Sequence, residues 1–264
     1  MPTAIPARAA DCHAHVFSSD APAVAGARYR PAYEATLDGW RAQWKRAGVT
    51  HGVLVQPSFF GTDNREMLEA LARAPRRLRG VAVVEPDIGE GELRRLDRAG
   101  VRAVRLNLQA VRDYAVFGDA SWLSLFGRIA QMGWHVETFV EAGRAPELVR
   151  AMSASRVAVV FDHFANPGGS TTYADLRRFA HERDVWVKLS GTYRIGGVDP
   201  RDASRRCIDA LGPGRIVWGS DWPWTRHEDG RDYVRMREEL ENWVGAERVE
   251  AVLWDNAAAL YRFD

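Results

Sequence analysis

Two histidines stand one residue apart near the start of the chain, His13 and His15 in "DCHAHVF". Side chains on a β-strand alternate with a period of two, so both imidazoles point to one face. Two imidazoles converging from one strand suit a divalent metal, Zn²⁺ above all, which accepts nitrogen and carboxylate ligands. The same pair can act on a substrate without a metal. A third histidine, His163, ends the apolar run "VVFDH", and Asp221 ends "VWGSD". Asp221 is equipped to be a metal ligand or a general base for water. Each residue also has an ordinary reading: a hydrogen-bonded histidine pair, a structural histidine, an aspartate capping a turn. The four together are more specific than any one, because such a convergence of costly polar groups at one end of a core needs a reason.

Other polar residues close the apolar runs: Asp11, Gln56 with Ser58, Arg105 with Asn107, Glu137 with Glu141, Asp162, Ser190 with Arg194 after it, and Ser220. Arg105 lies among apolar neighbours in "VRAVRLNL". It either pairs with an acid nearby, Glu85 or Glu137, or forms a two-pronged clamp for a substrate carboxylate. Arg194, in "SGTYRIGG", either reaches the same pocket or is solvated. Trp222 and Trp224 flank the candidate acid and could wall a pocket, whereas Trp40, Trp44, Trp122, Trp218, Trp243 and Trp254 read as packing. His51, His135, His181 and His227 read as structural or exposed. By strand alternation Cys12 falls on the face opposite His13. It lacks a base on its own side, so no nucleophilic role is expected.

What must position these residues is a repeating unit. Eight short apolar runs recur: 10–16, 51–57, 79–85, 101–108, 134–140, 157–163, 185–191 and 215–221. Their Val/Ile/Leu character suits strands covered on both faces. Helical spacing lies between them. In "ATLDGWRAQWKRAG", Leu37, Trp40 and Trp44 share one face and Gly48 closes it; "NREMLEALARAP" and "ASWLSLFGRIAQMG" behave alike. Eightfold βα alternation predicts a single (β/α)8 TIM barrel spanning residues 1–264, with strands one and eight adjacent once it closes. An open doubly wound sheet would want a Gly-rich phosphate turn after the first strand, and "HVFSSDAP" is not one.

The 264 residues are 46% hydrophobic and 27% charged, ordinary for a soluble enzyme. Lys+Arg 36 against Asp+Glu 35 leaves +1, with no basic excess for nucleic acid and no acidic tail. Two cysteines, Cys12 and Cys207, are too few for a disulfide framework, which implies a reducing compartment. "MPTAIPARAA" has no apolar core for a signal peptide, and no run approaches the roughly 18 apolar residues of a membrane span. The expectation is a cytoplasmic protein. Its partners would be a small molecule and, at most, a second copy in a homodimer.

In their order along the chain, "DCHAHVF", "GVLVQPSFFGTDN", "VRAVRLNL", "VVFDHFANP", "VKLSGTYR" and "RIVWGSDWP" resemble the amidohydrolase superfamily. They are more similar still to its lactonase branch, which acts on pyrone dicarboxylates among other lactones. The resemblance covers nearly the whole chain. It implies a distorted barrel that hydrolyses a small, often carboxylated lactone, with His13, His15, His163 and Asp221 at the active-site positions. Asp221 would activate water, and the histidines would polarise the lactone carbonyl directly or through a metal. The resemblance further implies Tyr29, Ser58, Arg105 and Arg194 as contacts to the substrate carboxylate. A second arginine expected shortly after "RLNL" is displaced: Val111 stands there with Arg112 beside it, which bears on whether the substrate is a dicarboxylate. The strand-four motif offers no lysine for carboxylation between two metals, so the implied centre holds one divalent ion, Zn²⁺, or none. Two other readings remain: a metal-dependent decarboxylase of an aromatic or unsaturated acid, and a non-catalytic ligand-binding barrel.

Overall fold

The computed structural model of the protein describes residues 7–20, 23–109, 111–168 and 171–264. The residues "MPTAIP", part of the argument against a leader, lie outside them. Each apolar run holds one strand: β1 (Ala10–Ala14), β2 (His51–Val55), β3 (Leu78–Ala82), β4 (Val101–Asn107), β5 (His135–Phe139), β6 (Ala158–Phe161), β7 (Val185–Leu189) and β8 (Ile216–Trp218). Between and after them come α1 (Leu37–Ala47), α2 (Arg65–Arg73), α3 (Glu90–Arg98), α4 (Ala120–Gln131), α5 (Ala145–Ala151), α6 (Thr171–Glu182), α7 (Pro200–Leu211), α8 (Tyr233–Val244) and α9 (Asn256–Tyr261). Neighbouring strands pair in parallel in the order β1 to β8. The ends meet where Ala14 bridges Trp222, with Asp221 N donating to His13 O at 2.8 Å and His15 N to Trp222 O at 2.8 Å. The architecture is therefore a (β/α)8 barrel, and the open sheet is ruled out. None of the described helices is long and apolar enough to cross a membrane.

The α1 region shows how sequence fixes position. Thr36 Oγ1 accepts from Gly39 N at 3.1 Å, and Gly48 at φ 70° ends the helix in the left-handed conformation. Leu37, Trp40, Trp44 and Ala47 are buried. The two indoles settle on β2 at Gly52, where even a Cβ would come within 2.4 Å of the Trp40 ring. Burying each large apolar side chain contributes about 1.5–3 kcal/mol. Inside the barrel, Val53, Val55, Val81, Val160, Trp186 and Val217 form a lower layer closed by Ala257, Leu260 and Tyr261 of α9.

One local irregularity matters for the site. Asp11 pairs with Gly52 but Ala14 pairs with Leu54, so β1 carries one extra residue there. Such a bulge re-aims side chains. Cys12 therefore joins the inner layer rather than the outer face, which corrects the simple alternation, while His13 and His15 still turn inward above it. Burial holds the Cys12 thiol well above its usual range, so it remains an unreactive packing group.

Candidate active site

A cavity of about 360 Å³ opens at the C-terminal ends of the strands. Its lining brings together His15 after β1, Ser58 after β2, Arg105 on β4, His163 after β6, Arg194 after β7 and Asp221 after β8, with Tyr29 from the β1–α1 loop. His163 and Asp221 thus face a cavity rather than a helix. Both sit in the left-handed backbone region, at φ 51° and 58°. Such residues cost about 1–3 kcal/mol each and persist where surrounding structure imposes them. Gly191, at φ 56°, leaves room for both side chains: a Cβ there would lie 2.7 Å from His163 Nδ1 and 3.2 Å from Asp221 Oδ2.

Asp221 is buried, yet its charge is well supported. Tyr193 OH and Arg194 Nε each donate to Oδ2 at 2.7 Å. Oδ1 faces His13 Nε2 and His15 Nε2, each 3.6 Å away. Burial works against the ionised form, but Arg194 and the histidines hold the carboxyl well below its usual range. Burial, then the Asp221 charge, pushes the Tyr193 phenol well above its range. His15 Nδ1 lies 2.7 Å from the Val55 carbonyl, which can only accept. Nδ1 therefore carries a proton and donates it to that carbonyl, which leaves Nε2 turned toward Asp221. Burial lowers His163 to about 3, and Ser190 Oγ lies 2.9 Å from its Nδ1.

Beneath the cavity floor lies a sealed charged layer. Lys188 Nζ is 2.5 Å from Glu137 Oε1, 3.1 Å from His13 Nδ1 and 3.3 Å from Asp162 Oδ1. All four residues are at most 1% exposed. Tyr261 OH donates to Glu137 Oε2 at 2.9 Å. Burial resists the Glu137 charge, but Lys188 prevails and the carboxyl falls to about 2. Burial and the Lys188 charge lower His13 to about 4, so its ring is neutral.

The candidates read from the sequence are distributed unevenly. Arg105 pairs with neither Glu85 nor Glu137: its Nη2 is 3.8 Å from Asp162 Oδ2 and its Nη1 3.4 Å from His13 Nε2. Arg194 is committed to Asp221 and to the Thr225 carbonyl. Trp222 does not line the cavity; its ring packs toward Gly39 and the Phe17, Ala35, Phe59 and Phe60 cluster. Arg112 is exposed and outside the lining. Sequence reasoning missed Arg28, Tyr193 and Arg226, which line the cavity, and His227, which does so while packing on Tyr193 with ring centroids 4.8 Å apart. It also missed Lys188, a lone lysine in the apolar strand β7 whose partners Glu137, Asp162 and His13 come from other strands.

Two residue groups have ligand atoms within 4.8 Å of one another: His13, His163 and Asp221, and His13, Glu137 and Asp162. Two neutral imidazoles and a carboxylate in the first group fit one divalent ion with a coordination position left for substrate or water. The second group is already gathered around the Lys188 ammonium.

A family model described as amidohydrolase matches residues 10–263. A 2-pyrone-4,6-dicarboxylate hydrolase of Comamonas testosteroni is 32% identical, over 97% of this chain and 91% of its own. A 4-sulfomuconolactone hydrolase of Rhizobium radiobacter is 29% identical, over 86% and 79%. A solved structure from Acinetobacter baumannii, of a candidate 2-pyrone-4,6-dicarboxylic acid hydrolase with citric acid bound, superposes with a TM-score of 0.88 at 31% identity, covering 97% of this chain and 99% of that one.

Proposed function

Because the chain belongs to the amidohydrolase family, we propose that it hydrolyses the ring ester of a small lactone carrying at least one anionic group. The observation that carries this reading is the cavity itself: an ionised carboxylate and neutral imidazoles at its floor, beside the Arg28, Arg105 and Arg226 guanidiniums on its walls. A hydrolytic base needs the first, an acyl carbonyl the second, and an anionic substrate the third. The two curated relatives act on a pyrone dicarboxylate and a sulfomuconolactone, which supports the substrate class.

In this reading the substrate carboxylate is held by Arg105 with Ser58 and Tyr29, which fixes the ester carbonyl over His163 and His13. Water lies between Asp221 Oδ1 and His15 Nε2. Asp221 takes one of its protons as the oxygen attacks the carbonyl carbon. The charge developing on the carbonyl oxygen is stabilised by the imidazoles. The ring C–O bond then breaks, the leaving oxygen is protonated, and the product holds one new carboxylate. His13, His163 and Asp221 would hold a single divalent ion, which when bound polarises the carbonyl and acidifies water. Arg194 and Tyr193 keep Asp221 ionised and aimed, so the proton-accepting form is the resting form.

The test is a panel of carboxylated lactones followed in a pH-stat, with carbon dioxide measured in parallel and with or without chelator. The expected outcome is alkali uptake of one equivalent per ring opened, with no carbon dioxide. Carbon dioxide release would replace this reading with decarboxylation, and inertness toward every member would refute the substrate class. Activity surviving chelation assigns carbonyl polarisation to the histidines; activity lost and restored by Zn²⁺ assigns it to the ion.

A further inference from the structure

We propose that Arg28 and Arg226 form a second anion-holding subsite at the mouth of the cavity, so that the substrate is a small ring compound with two anionic groups, one seated on Arg105 and the other between these two rim guanidiniums. The inference rests on the lactone-hydrolysing reading and deepens it by fixing the number and placement of the anionic groups. Neither Arg28 nor Arg226 is among the contacts that the resemblance implies.

Arg28, Arg105, Arg194 and Arg226 line the cavity against one carboxylate, Asp221. Arg194 and Asp221 neutralise each other at 2.7 Å. Arg105 is buried at the floor, 3.8 Å from Asp162 Oδ2. The two rim side chains are exposed, and among the described residues neither forms an ion pair. Arg28 Nη2 donates to the neutral Asn107 Oδ1 at 3.3 Å, and the Arg226 guanidinium lies 5.9 Å from the Tyr29 ring centroid. The acids around them are held by other groups. Glu141 pairs with Arg144 at 3.5 Å, and Glu228 Oε1 accepts from Tyr33 OH at 2.7 Å and from the Arg226 backbone N–H at 2.9 Å. The rim charges also act on each other: burial first, then the Arg226 charge, pulls the Arg28 guanidinium below its usual range. Two like charges facing one space are what a bound anion relieves, and planar guanidiniums grip a carboxylate or sulfonate with two prongs.

Spacing gives the shape of the ligand. Arg105 and Asn107 are two residues apart on β4 and both line the cavity, which sets their Cα atoms about 7 Å apart along the strand. Arg28, from the β1–α1 loop, is tied to the upper of the two, and Arg226 reaches in from the segment between β8 and α8, across the β1–β8 seam. The rim subsite therefore stands about one ring-width above the Arg105 seat. A cavity of about 360 Å³ suits one small ring compound, so a single molecule reaches both. Arg112, another cation close to the end of β4, is exposed and outside the lining, so it does not compete for the role.

The test is calorimetric binding of unreactive ring carboxylates: benzoate against phthalate, isophthalate and terephthalate, whose second carboxylate samples three spacings. At least one dicarboxylate should bind wild type about 10–100-fold tighter than benzoate, the effect of one or two charge-assisted contacts. That preference should vanish in Arg28→Gln/Arg226→Gln and shrink in Arg226→Gln, whose side chain has no hydrogen bond to lose among the described residues. Arg30→Gln, on the same loop as Arg28 but outside the lining, should leave it unchanged. No preference in wild type, a preference that survives the double variant, or no loss from Arg226→Gln overturns the proposal. So does an equal loss from Arg30→Gln, which would assign the effect to net charge. Should the double variant not fold, Arg226→Gln decides. Binding needs no ring opening, so failure to hydrolyse any lactone with the preference intact would refute the reaction and leave the subsite standing.

Discussion

Asp11 and Asp221 are both buried aspartates at the seam between β1 and β8, and they serve opposite ends. Asp11 faces the helices. Its Oδ1 accepts from the backbone N–H of Ser220 at 2.8 Å and of His13 at 3.2 Å; its Oδ2 accepts from Ser220 Oγ, Tyr233 OH and Trp40 Nε1 at 2.6, 2.8 and 2.9 Å. Asp221 faces the cavity. Fixed donors occupy its Oδ2, while Oδ1 faces the His13 and His15 Nε2 atoms at 3.6 Å. The acidities diverge in the same sense: burial outweighs five neutral donors and raises Asp11, while Arg194 and the histidines outweigh burial and lower Asp221. Burial therefore does not distinguish a structural carboxylate from a reactive one. Spare lone pairs, a cationic partner and an opening to a cavity do.

The contrast can be broken at either end. Asp221→Asn keeps the shape but removes the base, and kcat should fall by about 10²–10⁴ while substrate affinity measured by calorimetry stays near wild type. Asp11→Ala should do the reverse. It strands the Trp40, Ser220 and Tyr233 donors in the interior, each worth about 1–3 kcal/mol when unpaired. Urea denaturation should show a loss of about 2–5 kcal/mol, with turnover per folded molecule close to wild type. Equal damage to turnover from both variants would erase the distinction. Arg105→Ala removes a charge-assisted contact of about 1.5–3 kcal/mol, so steady-state kinetics should show a raised KM with kcat much less affected. Gly191→Ala sharpens the cavity side: its Cβ meets His163 Nδ1 at 2.7 Å on a left-handed backbone. That overpacking should cost about 1–3 kcal/mol in thermal or urea unfolding and lower kcat through His163.

Much of the scaffold was legible because barrel strands carry near-continuous apolar runs and each is followed by a helix with a buried stripe. The inward pairing of His13 with His15, and the meeting of both with Asp221, followed from period two and barrel closure. What failed depended on features that period and composition do not encode. The extra residue in β1 turned Cys12 inward against simple alternation. Arg105 found Asp162, two strands away, because the barrel interior brings residues from non-adjacent strands together. Trp222, next to Asp221 in sequence, points away from the cavity because successive side chains diverge there. Lys188 was overlooked because a single lysine in an apolar strand carries no spacing signal, and its meaning appears only with Glu137, Asp162 and His13 around it.

The central claim is that water held at Asp221 attacks the acyl carbon of a lactone. Its most direct test is ring opening in ¹⁸O-enriched water, using the lactone that the wild-type protein turns over fastest, followed by mass analysis of the product. The expected result is one ¹⁸O in the newly formed carboxylate, none in the released ring oxygen, and labelled product from Asp221→Asn formed about 10²–10⁴ times more slowly. Label in the ring oxygen, or wild-type labelling by Asp221→Asn, would contradict it.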